Sequence, residues 1–142
     1  MGNQQKRAVI VEDSAQMRSL IHMALKAAGI ADVVESENGL VALDLIKSQR
    51  ADIVIMDWQM DVMDGMECTR QIRAGIAGID PNTPIILLTG MVSTESEDAA
   101  YAAGADLFMG KPFSLLKQLH AGIIKAVSGK IRATSASQNA DV

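Results

Sequence analysis

The segment from Ile53 to Asp57 limits the possible folds of this chain more than any other. Four consecutive apolar residues, Ile53 to Met56, are followed at once by the carboxylate of Asp57. An apolar run of this length, without alternating polar residues, is typical of a strand buried on both faces of a parallel sheet. Ligands bind beyond the carboxyl ends of such strands. The pattern therefore predicts that Asp57 lies at a binding or reaction site.

Three further apolar runs are each followed by polar side chains. The runs are residues 8–11, 84–88 and 107–109, and the polar residues after them are Glu12 and Asp13, Thr89, and, beyond Gly110, Lys111. Because the carboxyl ends of parallel strands meet at one edge of a sheet, we expect three carboxylates, a hydroxyl and a cation to lie together. This set of groups suits a divalent metal ion and a phosphoryl group.

Length and composition exclude several classes of protein. The chain has 142 residues, 49% of them hydrophobic, which suits one domain with one core. A net charge of -4, without a cluster of Lys and Arg, argues against a nucleic-acid partner. The longest apolar runs fall far short of the roughly 20 residues that span a membrane, so we expect a cytoplasmic protein with no membrane partner. The single Cys68 is expected to be a reduced, partly buried thiol without a redox role.

Between the apolar runs the spacing changes to the helical period. Residues 32–36 form a further short strand, and five strands alternating with five helices predict a doubly wound parallel sheet in the α/β class. Helix starts are predicted at Asn38, at Asp64 with Glu67, and at Thr94 with Glu97. The residues predicted to face inward are Met17, Leu20, Ile21, Ala24 and Ala28 in the first helix, Val41, Leu45 and Ile46 in the second, and Leu116, Leu119, Ile123 and Val127 in the last.

The helix after Thr94 is unusually rich in Ala and has a weak apolar face, which predicts a marginal, mobile helix. The last residues, 129–142, contain few large apolar side chains and are predicted to be a disordered tail. The expected organisation is one domain over residues 6–128 followed by this tail.

The groups at the strand ends, together with two short motifs, resemble the signature of the response-regulator receiver family. The matching residues are Glu12-Asp13, Asp57, Met63-Asp64-Gly65, Thr89 and Lys111-Pro112-Phe113. Asp57-Trp-Gln-Met and the short C-terminal extension are most similar to stand-alone receivers of the chemotaxis type. The resemblance implies a flavodoxin-like sheet of five strands in the order 2-1-3-4-5. It also implies a role in two-component signal transduction.

The resemblance implies that Asp57 accepts a phosphoryl group from a sensor histidine kinase or a histidine phosphotransfer protein. The product would be an aspartyl phosphate. The expected cofactor is Mg²⁺ or Mn²⁺, held directly by Asp13, Asp57 and the backbone carbonyl of Gln59, with Glu12 acting through water. We therefore expect a phosphoacceptor switch that catalyses only its own phosphorylation and dephosphorylation.

The resemblance also assigns roles to the remaining residues of the signature. Thr89, Gly90 and Lys111 would contact the phosphoryl group, and the Lys111-Pro112 bond is often cis in the family. Thr89 and Phe108 would form the switch that changes the surface seen by a downstream protein target, expected on the face of the Ala-rich helix, the strand of Phe108 and the last helix. The side chains expected to flank the path of hydrolytic water are Gln59 and Met91.

Three residues depart from the family pattern. Asp61 stands where proline is usual and adds a further acid near the expected metal, Phe108 lacks the hydroxyl of the more familiar tyrosine, and Gly90 leaves the phosphoryl position open. Three alternatives remain: a receiver-like interaction module that is never phosphorylated, an aspartate-nucleophile phosphohydrolase, and a calcium loop. A phosphohydrolase of this kind requires a second Asp at position 59, where this chain has Gln. A calcium loop requires a different spacing of its ligands.

Overall fold

A computed structural model of the chain describes residues 5–111 and 115–128. The strands are β1 (Arg7–Val11), β2 (Asp32–Ser36), β3 (Ile53–Asp57), β4 (Ile85–Thr89) and β5 (Leu107–Gly110). The helices are α1 (Ala15–Ala27), α2 (Gly39–Gln49), α3 (Gly65–Arg73), α4 (Thr94–Ala103) and α5 (Leu115–Ser128), and a short 3-10 helix covers Ile76–Gly78. Pro112, Phe113 and the predicted tail 129–142 lie outside the described residues, as does the expected cis peptide bond. The division at residue 128 stays a prediction.

All five strands of the described sheet are parallel and lie in the order β2-β1-β3-β4-β5. The predicted fold class and strand order are therefore confirmed. Asp57 pairs with Leu88, and Thr89 pairs with Gly110, so β3, β4 and β5 end within a residue or two of one another. This register brings the residues that follow the strands to one edge of the sheet.

The sheet divides the apolar residues into two cores, one on each face. Along β1 and β3, alternate residues enter different cores because successive side chains point to opposite faces. Ala8 and Ile10 join the core under α1 and α5, whereas Val9 and Val11 join the core under α2, α3 and α4. The burial of β3 and β4 on both faces explains why their sequences are continuous apolar runs.

The inward faces of three helices were predicted incorrectly in part. Val41 is 44% exposed, because α2 packs through Gly39 and the residues at helical spacing from it, Ala42, Leu43 and Ile46. A Cβ at Gly39 would lie 2.9 Å from the carbonyl oxygen of Met63, so this close approach sets the orientation of the helix.

In α5 the prediction fails at Leu116, which is 38% exposed although Leu119 and Ile123 are buried as expected. Leu116 lies at the start of the helix, and the described residues that reach the core begin one turn later. In α1 the buried residues include Leu25, which the predicted stripe omitted, while Leu20 is only half-buried.

The helix starts at Asn38 and Asp64 are confirmed, since their side chains accept hydrogen bonds from the backbone of Val41 and Glu67. The predicted start of α4 is wrong by one residue. Ser93 is the cap, and its side chain and that of Ser96 each accept a hydrogen bond from the other's backbone N–H, at 3.0 and 2.9 Å. The Ser-x-x-Ser pair therefore does what was expected of Thr94 and Glu97. Within the described residues, no helix is long and apolar enough to cross a membrane.

Candidate functional site

Three carboxylates meet at the carboxyl edge of the sheet. Glu12 and Asp13 follow β1, and Asp57 ends β3, which is the neighbour of β1 in the sheet. One oxygen from each of the three side chains lies within 4.8 Å of the other two. Glu12 is 1% exposed and Asp57 is 5% exposed, while Asp13 is open to solvent. The arrangement is therefore a largely buried acidic pair with one accessible side.

The cation of the site comes from the loop after β5. Lys111 Nζ lies 3.1 Å from Asp57 Oδ1 and 3.4 Å from Glu12 Oε1. Since β4 lies between β3 and β5, the lysine side chain reaches across the end of β4 to the acidic pair. The backbone N–H of Lys111 donates to the carbonyl of Thr89 at 2.8 Å, which ties the start of this loop to β4.

Among the described residues, Lys111 is the cation that pairs with both buried carboxylates, and its one positive charge does not balance their two negative charges. Burial raises the pKa of Asp57 above its ordinary value; Lys111 opposes this shift, and Asp13 adds to it. Burial also raises the pKa of Glu12, and the charge of Asp57 raises it further, against the hydrogen bond from the Ser14 backbone and the charge of Lys111. Holding both groups ionised is therefore unfavourable without additional positive charge.

A buried oxygen at the centre of the site has an ion-pair partner but no well-aligned hydrogen bond among the described residues. Among the described residues, Asp57 Oδ1 accepts no hydrogen bond, although the Lys111 ammonium is close enough to form an ion pair with it. A buried carboxylate oxygen of this kind needs a further partner. Mg²⁺ and Mn²⁺ prefer carboxylate, carbonyl and water oxygens, so the donor set at this edge fits either ion.

An open cleft of about 330 Å³ lies beside the acidic pair. It is lined by Asp13, Trp58, Gln59, Met60, Asp61 and Asp64. Asp13 and Gln59, two of the expected metal ligands, both line this cleft, and so does Asp61. The backbone of the loop around the cleft is strained, because Val62 is β-branched and has a φ of 70°. The Val62 side chain is exposed.

Thr89 is fully buried at the end of β4, and its hydroxyl has two partners. It accepts a hydrogen bond from the backbone N–H of Met91 at 3.1 Å and donates one to Gln59 Oε1 at 3.3 Å. Gly90 is exposed, with open space where a side chain would be, and Met91 is 75% exposed. The position above the end of β4 is therefore open to solvent.

Phe108 is partly buried on the side of the sheet covered by α2, α3 and α4. Its ring contacts the ring of Trp58 edge to face. The expected switch pair thus occupies neighbouring strands, with Thr89 ending β4 and Phe108 in β5.

Two contributors to the site were missed in the sequence. Arg18 donates to the backbone carbonyl of Glu12 at 2.7 Å and also pairs with Glu35, so it positions the end of β1. The Gln59 side chain, expected only near hydrolytic water, contacts the Thr89 hydroxyl. Arg18 carries no signal beyond its place on a helix face, and the Gln59 contact joins residues 30 positions apart.

The sheet order and the acidic strand ends define a doubly wound α/β domain of the flavodoxin-like type, with its candidate site at the carboxyl edge. More particularly, the chain belongs to the response regulator receiver domain family, whose family model matches residues 8–123. The family places the chain in two-component signalling.

Known relatives include proteins from plants and bacteria. The chain is 44% identical over 117 residues to the two-component response regulator ORR41 of Oryza sativa subsp. japonica, with 80% of this chain and 89% of that protein covered. It is 35% identical over 109 residues to the response regulator MprA of Mycobacterium tuberculosis, covering 77% of this chain but only 45% of MprA. The solved structure of the chemotaxis response regulator CheY4 of Vibrio cholerae is similar, with a TM-score of 0.76, 28% identity, and coverage of 87% of this chain and 99% of that one.

Proposed function

We propose that this receiver accepts a phosphoryl group on Asp57 in a Mg²⁺-dependent or Mn²⁺-dependent reaction. The donor would be a sensor histidine kinase or a histidine phosphotransfer protein. Phosphorylation would change the conformation of the domain and so control a protein partner. The observation that carries the proposal is the Asp57 carboxylate, whose Oδ1 is buried, lies 3.1 Å from Lys111 Nζ and accepts no well-aligned hydrogen bond among the described residues. Two further carboxylates lie within 4.8 Å of it.

The proposed reaction depends mainly on positioning the Asp57 carboxylate and on neutralising the charge of the phosphoryl oxygens. The Asp57 carboxylate attacks phosphorus, a bond forms from its oxygen to phosphorus, and the phosphorus–nitrogen bond of the donor phosphohistidine breaks. The electron pair of that bond leaves with the donor imidazole, which takes up a proton. Lys111 lies where its charge can neutralise the phosphoryl oxygens, as well as the Asp57 carboxylate before reaction.

A divalent ion would be held by Asp13, Asp57 and the Gln59 carbonyl, with Glu12 beyond the ligand shell. When bound, it would supply the positive charge that the acidic pair lacks and would stabilise charge on the phosphoryl group. Glu12 is held in place by the Ser14 N–H on its side chain and by Arg18 on its carbonyl. These two hydrogen bonds hold Glu12 in one position beside the proposed metal site.

The proposed test is incubation of the protein with acetyl phosphate and Mg²⁺, followed by intact mass measurement. One acid-labile phosphoryl group should be added, and Asp57→Asn should add none. Asp44→Asn is the matched control, since Asp44 is an exposed carboxylate on α2. Equal uptake by Asp57→Asn and the control would contradict the proposal.

The same incubation, with released phosphate followed over time beside the mass measurement, separates the proposal from its alternatives. A phosphohydrolase would release phosphate over many turnovers, whereas the proposed switch turns over only as fast as its own phosphoryl group is lost. An interaction module that acts without phosphorylation would gain no mass. Metal dependence is tested by Asp13→Ala, which should weaken both Mg²⁺ binding and phosphoryl uptake.

A further inference from the structure

The one proton of the Thr89 hydroxyl is already donated to a side chain in the described conformation. A hydroxyl has one proton to donate, and Thr89 directs it to the amide oxygen of Gln59 while accepting from the N–H of Met91. A phosphoryl oxygen on Asp57 could receive this proton only if the bond to Gln59 were broken.

The contacts continue from Thr89 to the start of α4. The carbonyl of Met91 accepts a hydrogen bond from Ser96 Oγ at 3.3 Å, and Ser96 also forms the capping box with Ser93. The Ser96 hydroxyl also lies 3.0 Å from the carbonyl of Ser93, so its one proton is shared between the two carbonyls. Gln59, Thr89, Met91 and Ser96 are thus joined in one series of hydrogen bonds, which we name the resting series.

The two ends of α4 are held with different strength. At its C-terminal end, Gly104 follows the helix, and its carbonyl accepts from Arg73 Nε at 2.8 Å. The same guanidinium binds Asp106 at the start of β5 at 2.7 Å. At the N-terminal end, the bonds from the Thr89 and Ser96 hydroxyls in the resting series are both 3.3 Å long, well above the usual 2.7–2.8 Å for a hydroxyl donor. The link from Thr89 to the N-terminal end is therefore weaker than the contacts at the C-terminal end, while the first turn of α4 is held within itself by the capping box.

We infer that the Gln59 side chain is a positioning residue that holds the resting state, by keeping the Thr89 hydroxyl engaged and thereby the loop from Met91 to Ser93 and the first turn of α4 in place. This inference rests on the proposed function in one respect, because release would come from a phosphoryl group competing for the hydroxyl. A hydrogen bond to a charged phosphoryl oxygen is about twice as strong as one to a neutral amide. The long bond to Gln59 would therefore lose the competition.

The test begins with unphosphorylated protein, measuring amide exchange without metal or phosphodonor. Gln59→Met keeps the length of the side chain and removes the acceptor. Amides of residues 91–97 should exchange about three- to tenfold faster, the range expected for the loss of one modest hydrogen bond. Gln71→Met is the matched control, since Gln71 is half-buried on α3 and its amide bonds Glu67. It should leave these amides unchanged.

A second variant shows whether Gln59 acts through the hydroxyl. Thr89→Val keeps the shape of residue 89 without its hydroxyl, so it should also speed exchange, and adding Gln59→Met to it should have no further effect. Two outcomes overturn the inference: unchanged exchange in Gln59→Met, or additive effects in the double variant.

The phosphorylated protein provides a separate arm. After acetyl phosphate and Mg²⁺ have labelled Asp57, wild-type protein should show the faster exchange at residues 91–97 that Gln59→Met shows without label. If Asp57 is labelled and exchange does not change, the release step is wrong. If Asp57 takes no label, the proposed function fails, while the first arm still decides the role of Gln59.

Discussion

The rings of Trp58 and Phe108 lie 6.1 Å apart between centroids, with their planes at 68°. Trp58 directly follows Asp57, and Phe108 lies in β5, two strands away from β3. This edge-to-face contact joins the neighbour of the proposed phosphoacceptor to the expected switch aromatic. Any movement of Phe108 must therefore change the surroundings of Trp58.

Trp58 is the one tryptophan in the chain, so its fluorescence reports on this contact without interference. We predict that the emission of wild-type protein changes on adding acetyl phosphate with Mg²⁺, beyond the change caused by Mg²⁺ alone. Phe108→Leu should remove at least half of this additional change, because the moving ring is absent. Leu107→Met, a volume-conserving change on the opposite face of β5, is the control and should preserve the response. An undiminished response in Phe108→Leu would contradict the assignment.

Asp57→Asn should stabilise the protein when no divalent ion is present. A carboxyl whose pKa is raised in the folded state contributes stability below its unfolded-state pKa, and this stability is lost as pH rises through the folded-state pKa. Asp57, with an ordinary pKa of 3.8, is such a group. Between pH 4 and neutral pH, wild-type protein should therefore lose more stability than the variant, as measured by thermal unfolding with a chelator present.

Magnesium should reverse the order of the two proteins. At a concentration about 100 times its dissociation constant, the ion should stabilise wild-type protein by about 2.7 kcal/mol. Asp57→Asn should gain much less, because it lacks a ligand. Equal gains would show that Asp57 does not bind the metal.

Cys68 should resist alkylation in the folded protein. Burial, together with the charges of Asp64 and Glu67, raises the pKa of this thiol to about 12. The reactive thiolate is therefore scarce at pH 8, and the sulfur contacts the carbonyl of Gly39 at 3.6 Å in the interior. Mass spectrometry after iodoacetamide should show labelling only at the rate of unfolding, and complete labelling in denaturant. Rapid labelling of folded protein at pH 8 would exclude this burial.

Asp106→Ala should strongly lower the free energy of unfolding. Asp106 is buried, pairs with Arg73 and accepts the backbone N–H of Ile85 at 2.8 Å. Removing one partner of a buried ion pair costs about 3–5 kcal/mol. Glu67→Ala is the comparison, because Glu67 pairs with Arg70 on the exposed side of α3. It should lower the free energy of unfolding by no more than about 1 kcal/mol. Urea unfolding measures both, and similar losses would show that the Arg73 pair is not special.

The strand ends were predictable because their signal is local. A run such as 53–56 identifies a buried strand from adjacent residues, and the residue that follows it must lie at the edge of the sheet. The face of α2 was less predictable, since Val41 and Leu43 are equally apolar and the choice between them depends on how closely Gly39 approaches Met63.

The long-range contacts of the site and of α4 were not predictable for a related reason. Gln59 meets Thr89 across 30 positions, and Arg73 meets Asp106 across 33. Each contact forms only once the strands have taken their order in the sheet. Gln59, Arg73 and Asp106 are of residue types that are ordinary on protein surfaces, so their types alone do not indicate the contacts. Sequence patterns therefore identified the groups at the strand ends but not the side chains that hold them.

The separation of the two cores has a consequence for how this protein can diversify. Trp58 and Phe108 both pack into the core beneath α2, α3 and α4, whereas Leu107 and Met109 pack into the one beneath α1 and α5. A substitution in the second core leaves the aromatic pair and its surroundings unaltered, because the backbone of the sheet lies between them. Natural variation can therefore repack the apolar residues beneath α1 and α5 while the contact between Trp58 and Phe108 on the other face of the sheet is kept.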